Sequence, residues 1–136
     1  MPTTGSSSPL LLHDLPAGLR SSFFWRSGAI LAAAGMLAGA FGAHALKRRP
    51  GVTADNIHAW DTASHYAIAN GLGLMLVSMH PSFSAHRFAG PAILGGGAVF
   101  SSSIITLVLF KNLKFLGPIT PLGGIVMIAG YVALAV

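Results

Sequence analysis

The 136-residue chain is 53% hydrophobic and only 8% charged, with a mean hydropathy of +0.70. Soluble domains carry about 25% charged residues, so this inventory cannot cover a water-facing surface. The net charge of +5 comes from basic residues set in ones to threes between apolar runs, without a basic face or interleaved aromatics, and this excludes nucleic acid as a partner. No cysteine is present, which excludes disulfides, thiolate metal sites and cysteine nucleophiles.

Residues 1–24 are rich in Ser and Pro, and Pro2, Pro9 and Pro16 oppose a long helix. This stretch reads as a disordered tail with a short interfacial turn at Leu10–Leu12. A second reading is an organellar targeting segment, which is typically Ser- and Arg-rich and acid-poor, although Arg20 is the single Arg before Arg26. Residues 25–136 form the membrane domain.

The first span is expected over about residues 27–46, since twenty residues rising ~1.5 Å each match a hydrocarbon core of about 30 Å. Trp25 and Arg26 precede it and Lys47-Arg48-Arg49 follow it, as interfacial anchors do. Ala43-His44-Ala45 mimics a signal-peptide cleavage site, but the apolar run is too long and the basic cluster behind it opposes export. Gly28, Ala32, Gly35, Gly39 and Ala43 recur at three- or four-residue steps. Gly35-x-x-x-Gly39, with Gly42 one turn on, is therefore a packing seam, either for this chain's own helices or for a second copy.

Pro50-Gly51 stops the first span, and Thr53 or Asp55 is placed to cap a short helix leading into the second. The second span, about 62–79, is the most polar. Tyr66, Asn70, Gly73 and Val77 share a face, and a buried amide in lipid must find a partner, so Asn70 should face other helices. A loop over residues 80–87 follows, with Pro81 as the stop. The third span, about 88–110, carries Gly95-Gly96-Gly97 and Ser101-Ser102-Ser103, whose hydroxyls can bond back to their own helix carbonyls. The fourth, about 116–136, opens with Pro118 and Pro121, which fit a first helical turn. The expected fold is thus an all-α, integral-membrane four-helix bundle with short loops. Loops one and three hold five Lys and Arg against three in the tails and loop two, which places both termini outside or in the equivalent compartment. The membrane itself, whether mitochondrial, another endomembrane or the plasma membrane, is not specified.

The run GAFGAHALK (Gly39–Lys47), containing Gly39, Phe41, Gly42, His44 and Lys47, resembles the small transmembrane protein 256 family, also known as domain of unknown function 423. Thr62-Ala63 with Tyr66 is similar to that family's TA-x-x-Y run. LGPITPLGG (Leu116–Gly124), with Thr120, Pro121, Gly123 and Gly124, looks like its LG-x-ITP-x-GG element, and Phe100–Ser103 is similar to its small-residue third helix. The matches span about residues 27–136 in order. The resemblance implies a four-helix membrane protein of bacteria and eukaryotes without an established activity, and it supplies no catalytic residues. The family usually has a second-helix histidine where this chain has Asn70, so a mechanism needing a proton carrier there is not supported.

His44, His65, Tyr66 and Asn70 are the candidate functional polar residues. His44 lies about two residues inside the first span, where an ionisable group marks a functional hypothesis and histidine can change charge near neutral pH. Its plain alternative is a hydrogen bond to a neighbouring carbonyl or a headgroup. His58, Asp61 and His65, spaced i, i+3, i+7, would share a helical face, but they offer three metal ligands at most. They read better as a polar helix entrance, with Asp61 pairing with a histidine and Trp60 as an interface anchor. Asp14, Asp55 and Asp61 are the only acids, and no nucleophile motif, phosphate loop or carboxylate pair exists, so the expectation is no enzyme, no cofactor and no metal. The leading functional reading is a structural component of the bilayer that packs with itself or with larger membrane complexes. Its rival is a minimal channel or carrier of protons, ions or a small solute, using His44, Tyr66, Asn70 and Ser101–Ser103 as a polar path, with flux lost in His44→Ala.

Overall fold

The computed structural model describes residue 9 and residues 11–136, apart from the side chain of His13. The described residues are helical, with no strand among them. Four long helices, α1 (Ala17–His44), α2 (Ala54–Met79), α4 (Ala89–Leu109) and α5 (Ile119–Ala135), are joined by short connections, one of which contains the five-residue α3 (Pro81–Ala85).

α1 starts eight residues before the expected domain boundary at residue 25. The prolines that argued for a tail all precede it, and Pro16 is its N-cap residue. Residues 17–24 hold no proline to break a helix. Phe24 is fully buried, its ring pressed against Gly90 of α4, so tertiary packing holds these turns in place. At 28 residues α1 is about 42 Å long, more than a hydrocarbon core of about 30 Å needs, and its first turns extend beyond the expected span. Residues 1–8 and residue 10, where the tail and targeting readings begin, lie outside the described residues. Of the expected turn at Leu10–Leu12, the described part is a short 3-10 turn at Leu12–Asp14.

Thr53 caps α2. Its Oγ1 accepts from the Asn56 amide at 3.2 Å, while Asn56 Oδ1 accepts from the Thr53 amide at 3.2 Å. The cap opens one continuous helix rather than a separate short one. Pro81 ends α2 but also starts α3, because a proline at a first helical position loses no bond. His86 Nδ1 then accepts from the amides of Phe88 and Ala89 at 3.2 and 3.0 Å and caps α4.

Neighbouring long helices run antiparallel, and glycine backbones set how closely they approach. On α1, Gly28 faces Gly71, Gly35 faces Ser64 and Ile68, and Gly42 faces the Trp60 ring. On α4, Gly96 faces Gly123 and Met127, and Ile93 faces Gly130. α1 packs on α2, α2 on α4, and α4 on α5, but α1 and α5 make no extended interface of their own. The expected bundle is therefore an open arrangement of two tight pairs joined through α2 and α4. Its apolar core sits in two clusters. Phe24, Leu74, Val77 and Ile93 fill the end near the chain termini, and Leu46, Trp60 and Val108 fill the other. By length and composition, α1, α4 and α5, the first and last with their adjoining 3-10 turns, are fit to cross a membrane.

Candidate functional site

Between the two core clusters, the interface of α2, α4 and α5 is polar. Asn70 is 2% exposed, so its amide must bond within the protein. Its Nδ2 donates to the Tyr66 carbonyl and to Met127 Sδ, both at 2.8 Å, tying α2 to α5. Gly97 of α4 lies against this side chain. A methyl group added there would sit 2.9 Å from Nδ2, so glycine is what lets α4 approach. One turn before Asn70, the Tyr66 ring stands edge-on to Phe100 with centroids 5.1 Å apart. One turn beyond Phe100, the buried Ser103 hydroxyl meets Thr120 Oγ1 at 2.7 Å and donates to the Phe100 carbonyl at 2.9 Å. The seam leads towards a cleft of about 440 Å³ at the loop-one end, lined by Asn56, Ala59, Ile104, Val108, Thr120 and Pro121 among others.

The sequence-selected residues separate into three groups. Asn70 is buried in the seam, and Tyr66, 44% exposed, borders it through its ring contact with Phe100. Gly35 and Gly42 are buried between α1 and α2, so the seam on α1 serves the chain's own helices, while Gly39 is only half-buried. His44 and His65 are exposed: His44 ends α1, and His65 points away from the buried seam. Among the described residues no three His or Asp side chains gather to hold a metal, so His58, Asp61 and His65 do not form a site.

Trp60 is not an interface anchor. It is 4% exposed, its indole Nε1 donates to the Ala38 carbonyl at 2.7 Å, and its ring fills the space that Gly42 leaves empty. The two motif runs therefore serve one end of the molecule. Gly42 and Leu46 pack on Trp60, whose cluster reaches Ile104 and Val108, and these line the cleft with Thr120 and Pro121. Gly123 lets α5 approach Phe100 and Gly96, and Gly124 sits beside the Phe100 ring. Phe41 lies 5.5 Å from Trp60, and Lys47 is exposed in the turn after α1.

A family model described as "Protein of unknown function (DUF423)" matches residues 38–124, from the second half of α1 into α5. The chain belongs to the DUF423 family. That match takes in both motif runs, the polar seam up to Thr120 and the whole of the cleft. A UPF0382 membrane protein of Schizosaccharomyces pombe is 33% identical over 116 residues, covering 82% of this chain and 98% of the relative. A UPF0382 membrane protein of Staphylococcus aureus is 33% identical over 111 residues, covering 80% and 88%. No solved structure matches. With three helices fit to cross a bilayer, this DUF423 chain is a helical membrane protein.

Sequence reasoning missed Met127 as the partner of Asn70, and Arg20, which is 7% exposed on α1. The spacing of Arg20 and Phe24, one turn apart, would have placed both on one face had the helix been extended back to them.

Proposed function

We propose that this protein is a four-crossing, non-enzymatic structural component of its membrane. Its internal polar groups lock its own helices, and its outer faces associate with a second copy or a larger membrane complex. The observation that carries the reading is that the polar groups of the helices are mostly consumed inside the chain. Asn70, Ser103 and Thr120 bond across helices, as Trp60 does to α1, while Ser64 and Ser78 bond to their own helix. Groups committed in this way act as glue between helices.

α2 supplies the fourth crossing in this reading. Its 26 residues reach about 39 Å and it lies against α1 from Trp60 to Leu74, although its polar residues lower its hydropathy. With α1 and α5 left unclosed, rows such as Ile30 and Leu37 on α1 and Leu122, Ile125 and Ile128 on α5 remain as outward apolar surface for lipid and neighbours. The test is native-gel migration of the endogenous, gently solubilised protein with mass spectrometry along the lane. Migration with a larger assembly is the expected result, and migration as a lone monomer refutes the association.

The transport reading draws on a different observation. The Ser101 hydroxyl is buried without a hydrogen-bond partner. A minimal carrier would use it together with the cleft at Asn56 and Thr120, and flux in reconstituted vesicles no faster than in empty ones rules this reading out.

A further inference from the structure

The end of the molecule near the chain termini carries positive charge in excess. Arg20, Arg26 and Arg87 lie there, with Asp14 as the acid on the same side. Arg20 is almost completely buried, and its Nε and Nη2 have no hydrogen-bond partner. A buried guanidinium adds its charge to the positive potential of this end.

Arg26, six residues further along α1 and exposed, lines a cavity of about 350 Å³ with Ser22, Trp25 and Met79. Ser21, also in the wall, commits its hydroxyl to the Ser78 carbonyl at 2.6 Å, which leaves Ser22 as the exposed hydroxyl beside Arg26. Met79, 70% exposed, is shared with a second cavity of about 440 Å³ between α2 and α5. That one is almost entirely apolar, with Leu76, Val77, Phe83 and Leu134 in its walls. Gly73 leaves room at its floor for the Tyr131 hydroxyl, and the His80 ring stacks on Phe83 at 4.2 Å.

A basic, hydroxyl-bearing cavity at the level of an interfacial tryptophan, continued past one flexible methionine by an apolar groove, has the two-part chemistry of a phospholipid. A soluble anion has no use for the groove, and a lipid without a phosphate has no use for the guanidinium fork. Among phospholipids, the excess positive charge of this end favours a net-negative headgroup over a zwitterionic one, whose own cation it repels. We propose that this end binds one anionic phospholipid per chain. Its phosphate is held by Arg26 and Ser22, and one acyl chain lies across Met79 into the groove between α2 and α5. The proposal rests on membrane insertion and not on the association role, so either can fail without the other.

The test is native mass spectrometry of the full chain released from nanodiscs of equal phosphatidylcholine and phosphatidylglycerol. One retained phosphatidylglycerol is expected, preferred about fivefold over phosphatidylcholine, as one basic residue at an anionic surface gives. Arg26→Gln should remove the preference and Arg26→Lys should keep part of it. Leu134→Trp, or Leu76→Trp from the opposite wall if the first does not fold, should lower retention of long-chain phosphatidylglycerol while sparing its dihexanoyl analogue. Equal retention of the two lipids, an unchanged preference in Arg26→Gln, or displacement of the lipid by millimolar inorganic phosphate with no loss in the groove variants would overturn the proposal.

Discussion

Gly35 and Gly39 look equivalent in the sequence, and the structure makes them unequal by an amount that can be measured. A methyl group added to Gly35 would lie 2.8 Å from the Ile68 amide nitrogen, the Ser64 carbonyl oxygen and Ile68 Cγ1. Two of these are backbone atoms, which cannot rotate aside. Restoring an ordinary separation of ~3.5 Å requires α1 to withdraw by about 0.7 Å. That movement also loosens the Gly28–Gly71 approach on the same ridge. Overpacking of this kind costs about 1–3 kcal/mol. At Gly39 the nearest atom is Ser64 Cβ at 3.9 Å, an ordinary contact, so Gly39→Ala should stay within ~0.5 kcal/mol of the parent. The assay is denaturant titration in mixed micelles, followed by tryptophan fluorescence in a Trp25→Phe background. Trp60 is then the sole reporter, and it sits at the α1–α2 contact through its bond to the Ala38 carbonyl. A neutral Gly35→Ala, or an equal loss in Gly39→Ala, would refute the packing argument.

The same titration tests the centre of the molecule. Gly97→Ala should destabilise by about 1–3 kcal/mol, and Asn70→Ala should rescue much of that loss, because every atom the new methyl meets within 3.1 Å belongs to Asn70; additive effects would contradict this. Thr120→Val keeps the shape but removes the 2.7 Å bond to Ser103, and it should cost about 0.6–1.7 kcal/mol with unchanged helicity by circular dichroism. The crossing of α2 is open to labelling, since the chain has no native cysteine: Ala54→Cys and Asn112→Cys should react with an impermeant maleimide from one side and Ser82→Cys from the other, whereas one-sided labelling of all three would mean that α2 does not cross.

Much of this arrangement was legible because bilayer physics is severe. A buried amide must find a partner, so Asn70 could be placed facing inward from its type and spacing alone, and the Thr53 cap could be read from residue preference. Trp60 could not. A tryptophan beside charged residues at a helix entrance is the pattern of an interfacial anchor, and only the pairing of α1 with α2 shows that Gly42 leaves a hole of indole shape. The start of α1 was hidden for a related reason. Its first turns are held by Phe24 against Gly90, a contact 66 positions away along the chain that no local pattern encodes. The open edge between α1 and α5 also depends on which helices meet, and composition carries no record of that. Of the candidate polar residues, Asn70 lies under α4 and Tyr66, though exposed, reaches Phe100 of α4 at the edge of the same site, while His44 and His65 point elsewhere.

The bond from Asn70 to Met127 spans 57 positions of the chain. A growing polypeptide therefore carries the most polar of its long helices into or against the bilayer well before that helix's partner has been made. Until α5 emerges, the Asn70 side chain retains only the carbonyl of its own helix, at Tyr66. Maturation thus has an order written into it: α1 can shelter α2 at once, but the second helix becomes fully committed only when the last one arrives. A nascent chain halted before Met127 should hold α2 loosely, and that stage is when quality-control proteases would find it.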